Sequence, residues 1–80
     1  MIDIELPKWG MTMQDGTLVE WLVESGSSVT EGQVIATVET EKVMAELESP
    51  ASGVISEILV SEGQTAAVGA VLARIQTSND

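Results

Sequence analysis

The sequence predicts an all-β fold, on three observations. Val, Ile and Thr, which favour strands, make up 23 of the 80 residues. Short apolar runs recur at intervals of roughly 8–12 residues and are separated by Gly, Ser and Pro, as in sandwiches and barrels. No segment combines a sustained helical period with helix caps. A chain of this length forms one small domain, so we expect a single barrel or sandwich.

The first half of the chain contains three predicted strands. Apolar and acidic residues alternate in Ile2–Leu6, which is the pattern of a half-buried strand, and Pro7 ends it. The segment Lys8–Gly16 contains two glycines and predicts a loop. The apolar runs Leu18–Val23 and Val34–Val38 follow, with a Ser- and Gly-rich turn sequence between them.

The second half contains three further predicted strands. In Val43–Leu47 one face carries Val43, Ala45 and Leu47. The runs Val54–Val60 and Ala70–Ile75 complete the count, and a Pro or Gly cluster precedes each of them. The polar sequence after Gln76 predicts that the domain spans residues 1–76 and that residues 77–80 form a tail or the start of a linker.

An internal repeat relates the two halves. A shift of 37 residues places Gly16–Thr40 over Gly53–Thr77 without a gap, and nine of the 25 positions are identical. Two glycines recur in register, at Gly26/Gly63 and at Gly32/Gly69, as expected where each half needs a positive φ. The repeat predicts a quasi-two-fold domain in which each half supplies strands to two packed sheets.

Charge and composition exclude several functional classes. The chain has 13 acidic residues against Lys8, Lys42 and Arg74, a net charge of −10. This balance argues against nucleic acid and against an anionic membrane surface, and it favours basic partners. Because the chain contains neither Cys nor His, it offers no thiolate or imidazole for catalysis or metal binding, so a conventional enzyme is not expected.

Thr40-Glu41-Lys42 connects two predicted strands and is the most informative segment. It predicts a tight hairpin without Gly, for which a type I turn fits better than the primed types. Lys42 at this tip would be exposed and surrounded by carboxylates. The pattern alone favours a solvated surface lysine that offsets the carboxylates and contributes about 0–1 kcal/mol to stability.

The sequence Glu39-Thr40-Glu41-Lys42-Val43-Met44-Ala45-Glu46 resembles the attachment motif of lipoyl domains, usually Glu-Thr-Asp-Lys-Ala with a Glu four residues after the lysine. The likeness extends over about residues 2–75 and includes Gly16-Thr17-Leu18 and Glu62-Gly63-Gln64. It implies a flattened barrel of two four-stranded antiparallel sheets with quasi-two-fold symmetry. It also implies that lipoic acid is joined to Lys42, with Glu39, Glu41, Val43 and Glu46 in the recognition context.

The resemblance further implies a non-catalytic, swinging-arm carrier in a 2-oxo acid dehydrogenase complex of the pyruvate or acetoin type. Its expected partners are a lipoate ligase or lipoyl transferase, a thiamine-diphosphate decarboxylase, an acyltransferase core and a flavoprotein dihydrolipoamide dehydrogenase. The parent chain would be a dihydrolipoyllysine acyltransferase. We expect an isolated domain that is monomeric, in the bacterial cytoplasm or, in a eukaryote, the mitochondrial matrix.

Two further points follow from the resemblance. Biotin carriers have Met on both sides of the lysine, whereas Glu41 and Val43 stand here, which disfavours biotin. A biotin carrier and an unmodified β interaction module remain the alternatives. The Lys8–Asp15 loop lies near the attachment hairpin in the family and helps the decarboxylase to recognise its own domain. The candidate recognition residues of this loop are Trp9, Met11 and Met13, which would suit that role if they are exposed. The alternative is that Trp9 and a Met merely cap one end of the barrel.

Overall fold

Residues 1–9, 13–41 and 43–77, which the computed structural model describes, form eight β-strands in two four-stranded antiparallel sheets. The strands are β1 (Ile2–Glu5), β2 (Asp15–Trp21), β3 (Ser28–Val29), β4 (Val34–Glu39), β5 (Met44–Glu48), β6 (Gly53–Ile58), β7 (Thr65–Ala67) and β8 (Val71–Thr77). One sheet has the order β1-β8-β6-β3 and the other the order β5-β4-β2-β7. The molecule measures 37 × 22 × 17 Å, so the predicted flattened two-sheet barrel is confirmed.

The sheet orders reproduce the quasi-two-fold symmetry that the repeat predicts. Exchanging β1 with β5, β2 with β6, β3 with β7 and β4 with β8 converts one order into the other. Backbone hydrogen bonds follow the same rule: Gly26 N–H donates to Ile55 O at 2.7 Å, and Gly63 N–H donates to Leu18 O at 2.7 Å. Gly26 and Gly63 have φ of 95° and 88°, as expected for this turn. Each half therefore supplies two strands to each sheet.

The core lies between the two sheets and is built from the inward positions of each strand. Strand side chains alternate between faces, but β4 and β8 each also bury two consecutive residues, Ile35-Ala36 and Leu72-Ala73. Trp21 is half-buried against this core, and its Nε1–H donates to Val60 O at 2.8 Å. The largest fully buried side chains are aliphatic: Ile4, Leu6, Leu18, Ile35, Ile55, Leu72, Ile75 and Val38.

Several strand limits differ from the sequence prediction. The short strands β3 and β7 carry too few apolar residues to be recognised as runs. β2 begins at Asp15 rather than Leu18 because its first three residues pair with β7. β8 extends to Thr77, which pairs with Gly53, so Thr77 belongs to the domain rather than to a tail. The rest of the predicted tail, residues 78–80, lies outside the described residues. No helix in the described part of the chain is long and apolar enough to span a membrane.

Candidate functional site

The predicted hairpin joins β4 to β5. Glu39 and Met44 form the last strand pair, and Thr40 and Val43 close the connection. Among the described residues only glycines have positive φ, so Glu41 does not. Both primed turn types require positive φ at the position of Glu41, which excludes them, as predicted. Lys42 itself lies outside the described residues.

Hydrogen bonds of Thr40 hold the two sides of the connection together. Thr40 N–H donates to Val43 O at 2.8 Å, and the Thr40 hydroxyl donates to the same oxygen at 2.8 Å. In return, Val43 N–H donates to Thr40 Oγ1 at 3.2 Å. The backbone of Val43 is therefore fixed by one residue on the opposite side of the turn.

The side chains beside the turn point to solvent. Val43 is 57% exposed and Met44 is 56% exposed, and Glu41 is also exposed. Val43 shares its predicted face with Ala45 and Leu47, but it lies outside β5, whose pairing begins at Met44, and it does not pack inward. Leu47 is buried, as predicted. An exposed lysine neighbourhood of this kind leaves room for a ligase and for a long attached group.

The sheet that contains the hairpin has an acidic surface. Its four strands carry five exposed carboxylates and no basic residue: Asp15, Glu20, Glu39, Glu46 and Glu48. In the other sheet, Arg74 pairs with Asp3 and with Glu57, both at 3.3 Å. The predicted recognition residues Glu39 and Glu46 therefore lie on the more acidic of the two faces.

Trp9 and Met13, which belong to the described part of the segment Lys8–Asp15, lie at the hairpin end of the barrel, as the family resemblance implies. A side chain placed at Gly16 would meet Met13 Cε and Val38 Cγ1, so Met13 packs beside the end of β4. Trp9 N–H donates to Met13 Sδ at 3.4 Å, and the Trp9 side chain is 39% exposed. Met13 is half-buried against the core, which agrees with the alternative that a Met of this segment caps the end of the barrel. Met11 lies outside the described residues.

The start of β1 and the end of β8, which pair with each other, lie at the opposite end of the barrel from the hairpin. Leu6, just after β1, pairs with Ala70, and Val68 N–H donates to Gln14 O just before β2. The hairpin is beside the start of β2, where Thr17 pairs with Glu39. Ile2, at the other end of β1, therefore lies far from the hairpin.

Two residues of the site were not identified from the sequence. Thr40 stands out in the sequence only as part of the motif, although Ser and Thr are known to close turns with their hydroxyls. The sequence pattern assigns no role to Met44, yet it is a large exposed apolar side chain in the strand pair next to the turn.

The chain is similar to known lipoyl proteins over nearly its whole length. Residues 2–75 match the biotin/lipoyl family, described as biotin-requiring enzyme. The chain is 42% identical to the dihydrolipoyllysine-residue acetyltransferase component of the pyruvate dehydrogenase complex of Zymomonas mobilis, over 90% of the chain and 17% of that protein. It is 42% identical to the same component from Corynebacterium glutamicum, over 96% of the chain and 11% of that protein.

A solved structure extends the similarity to the fold. The lipoyl domain of the 2-oxoglutarate dehydrogenase complex from Azotobacter vinelandii superposes with a TM-score of 0.77 at 36% identity, covering 95% of this chain and 96% of that one. The two-sheet barrel and the exposed β4–β5 hairpin are thus found in a chain whose relatives are lipoyl proteins. The chain belongs to the biotin/lipoyl family, and it is a lipoyl domain homologous to those of dihydrolipoyllysine acetyltransferase components.

Proposed function

We propose that this chain carries lipoic acid in amide linkage on Lys42 and presents it to the active sites of a 2-oxo acid dehydrogenase complex. The observation that carries the proposal is the exposed, hydrogen-bonded hairpin at which the attachment motif stands. Attached lipoic acid supplies a dithiolane that accepts acyl groups and reducing equivalents. The residues of the domain hold the attachment point away from the core and provide the recognition surface.

The surroundings of Lys42 in the sequence fit a bulky attached group. Glu41 and Val43 are exposed, so a group joined between them would extend into solvent. They also differ from the two methionines that flank the lysine of biotin carriers, which favours lipoic acid over biotin. The same exposure gives a lipoate ligase or lipoyl transferase access to the lysine amine.

We propose that the Trp9 segment contributes to recognition by the thiamine-diphosphate decarboxylase. Trp9 is partly exposed on a segment that Met13 anchors beside the end of β4. Together with Val43 and Met44, it provides apolar surface at the hairpin end of the domain. Aromatic and Met side chains are enriched in protein interfaces, which supports this role.

The other partners follow from the relatives, which are components of pyruvate dehydrogenase complexes. The chain spans 17% or less of those proteins, so an acyltransferase core would lie elsewhere in a longer parent chain. If the rest of the parent chain joins the domain at the end opposite the hairpin, Lys42 can reach the active sites of the decarboxylase, the acyltransferase and the flavoprotein dihydrolipoamide dehydrogenase. Tethering raises the effective concentration at each site, and the acidic sheet favours basic active-site entrances.

A lipoylation experiment tests the proposal. The unmodified chain is incubated with a lipoate ligase, lipoate and ATP, and intact masses are compared for the unaltered chain, Lys42→Arg and Lys8→Arg. We expect one lipoyl group on the unaltered chain and on Lys8→Arg, and none on Lys42→Arg. Both substitutions keep the charge, so they form a matched pair.

Two results would contradict the proposal. One is an unaltered chain that gains no lipoyl group, which would favour an unmodified interaction module. The other is efficient modification by a biotin ligase in a parallel reaction, which would favour a biotin carrier. Peptide mapping of the modified chain locates the attached group.

A further inference from the structure

We propose that the Thr40 hydroxyl is a positioning group that fixes the backbone of Val43 and thereby aids modification of the chain at Lys42. The inference rests on the proposed attachment at Lys42 and adds a residue to it. Thr40 does not react with the ligase or with lipoic acid. It acts through the backbone of Val43, the residue that follows Lys42.

The hydroxyl makes two bonds to one residue across the turn. It donates to Val43 O at 2.8 Å and accepts from Val43 N–H at 3.2 Å. With Thr40 N–H donating to the same carbonyl at 2.8 Å, both backbone polar groups of Val43 are bound to Thr40. Only two residues, Glu41 and Lys42, lie between these fixed points.

Side-chain packing cannot fix the backbone conformation of this turn. Val43 and Met44 are 57% and 56% exposed, and Glu41 is exposed as well. The side chains at the tip therefore have little buried surface to restrain them. Hydrogen bonds within the turn are the remaining source of a defined conformation.

The backbone conformation of other turns also differs from that of the hairpin. Four other turns in the described chain contain a glycine with positive φ, for example Gly26 and Gly32 with φ of 95° and 87°. The hairpin has no glycine, and Glu41 keeps an ordinary φ. In the hairpin, the Thr40 hydroxyl closes the turn instead, because it bonds to both backbone groups of Val43. Ser and Thr carry a single atom that can both donate and accept.

The consequence concerns reaction with the ligase. A turn whose two sides are joined by hydrogen bonds loses less conformational entropy when an enzyme binds it, so modification is faster. Removing the hydroxyl leaves the strands and the core unchanged and frees only the tip. Thr40 therefore affects the rate of modification far more than it affects folding.

The test compares Thr40→Val, which has nearly the shape of Thr without the hydroxyl, with Thr40→Ser, which retains it. Initial rates of lipoylation by a lipoate ligase give kcat/KM for each chain, and hydrogen exchange measures the Val43 amide. Loss of the hydroxyl should lower kcat/KM about tenfold in Thr40→Val and speed exchange at Val43 by a similar factor, since one or two hydrogen bonds are lost. Thr40→Ser should stay within about threefold of the unaltered chain, because its hydroxyl can make the same bonds.

Equal lipoylation rates for folded Thr40→Val and Thr40→Ser would overturn the inference, and so would an unprotected Val43 amide in the unaltered chain. Circular dichroism establishes folding, and Thr40→Ala makes the same comparison should Thr40→Val not fold. Failure of the proposed function is a different result, since the unaltered chain would then gain no lipoyl group.

Discussion

The residues on either side of Lys42 in the sequence are the ones that we propose a modifying enzyme recognises when it selects the group to attach. Glu41 is exposed in the turn, and Val43 is exposed where the turn meets β5. Neither side chain contributes to the core, so both are free to serve enzyme recognition. Exposed positions of this kind usually change stability by no more than about 0.5 kcal/mol on substitution.

We expect that Glu41→Met combined with Val43→Met permits biotinylation by a biotin ligase, because the double variant carries the flanks of a biotin carrier on an unchanged fold. The measurement is the fraction of chain that gains biotin, by intact mass, with the unaltered chain as control. A double variant that stays as unmodified as the control would show that the flanks do not select the group.

The position of the lysine within the turn is the second prediction at this scale. The swap Lys42→Glu with Glu41→Lys, and the swap Lys42→Val with Val43→Lys, both preserve composition and net charge. A displacement of one residue turns the amine in another direction, so lipoylation should fall steeply in both. Because Val43 is exposed, the second swap should fold as well as the first. Lipoylation rates and thermal midpoints measure the two effects, and undiminished modification of either folded swap would contradict recognition by position.

At the scale of elements, close packing connects the start of β2, the end of β4 and the segment before β2. A Cβ at Gly16 would lie 2.7 Å from Val38 Cγ1, and Val38 is buried and has little room to move. Met13 fills the neighbouring space. These contacts place the Trp9 segment and the hairpin at the same end of the barrel.

Gly16→Ala should therefore destabilise the domain by about 1–3 kcal/mol through overpacking. Adding Val38→Ala removes the group that the new methyl meets, so the double variant should lose less stability than the sum of the two single variants. Urea unfolding of the three variants measures this coupling. Strict additivity would show that the contact is not the source of the cost.

Met13 should act as an anchor rather than as a contact residue. Met13→Ala removes packing at a half-buried site and should cost about 1–2 kcal/mol, less than a fully buried Met would. Met13→Leu preserves volume and should cost less than the Ala variant. Urea unfolding ranks the two, and equal stability of both variants would contradict an anchoring role.

At the scale of the whole molecule, the sequence repeat predicted more of the fold than the apolar pattern did. The ungapped repeat of Gly16–Thr40 predicted the two-sheet symmetry, because each half must build the same strands and turns. The pattern missed β3 and β7, which are only two and three residues long. Strands this short are defined by their hydrogen-bonding partners, and such partners are distant in sequence.

The candidate site was predictable in its location but not in its details. The motif around Lys42 identified the hairpin, and the exposed turn agrees with it. The exposure of Val43 was not predictable, since it depends on where β5 begins, and strand pairing begins at Met44. The anchoring position of Met13 depends on packing against Gly16 and Val38, which no local pattern encodes.

The distribution of charge also belongs to the whole molecule. The five carboxylates of the hairpin's sheet have no basic neighbour within its strands, whereas Arg74 offsets part of the acidity of the other sheet. The hairpin therefore connects two strands of the more acidic sheet. A carrier of this kind would approach basic active-site entrances with its attachment point leading.

Acylation of the lipoylated chain tests the central claim most directly. The lipoylated chain is incubated with pyruvate and the thiamine-diphosphate decarboxylase of a pyruvate dehydrogenase complex, and its intact mass is followed in time. Lys42→Arg, treated identically, is the matched control. We predict that the lipoylated chain gains one acetyl group and that the control gains none. A lipoylated chain that stays unacetylated, while a lipoyl domain native to that complex is acetylated in the same mixture, would contradict a carrier role in pyruvate oxidation.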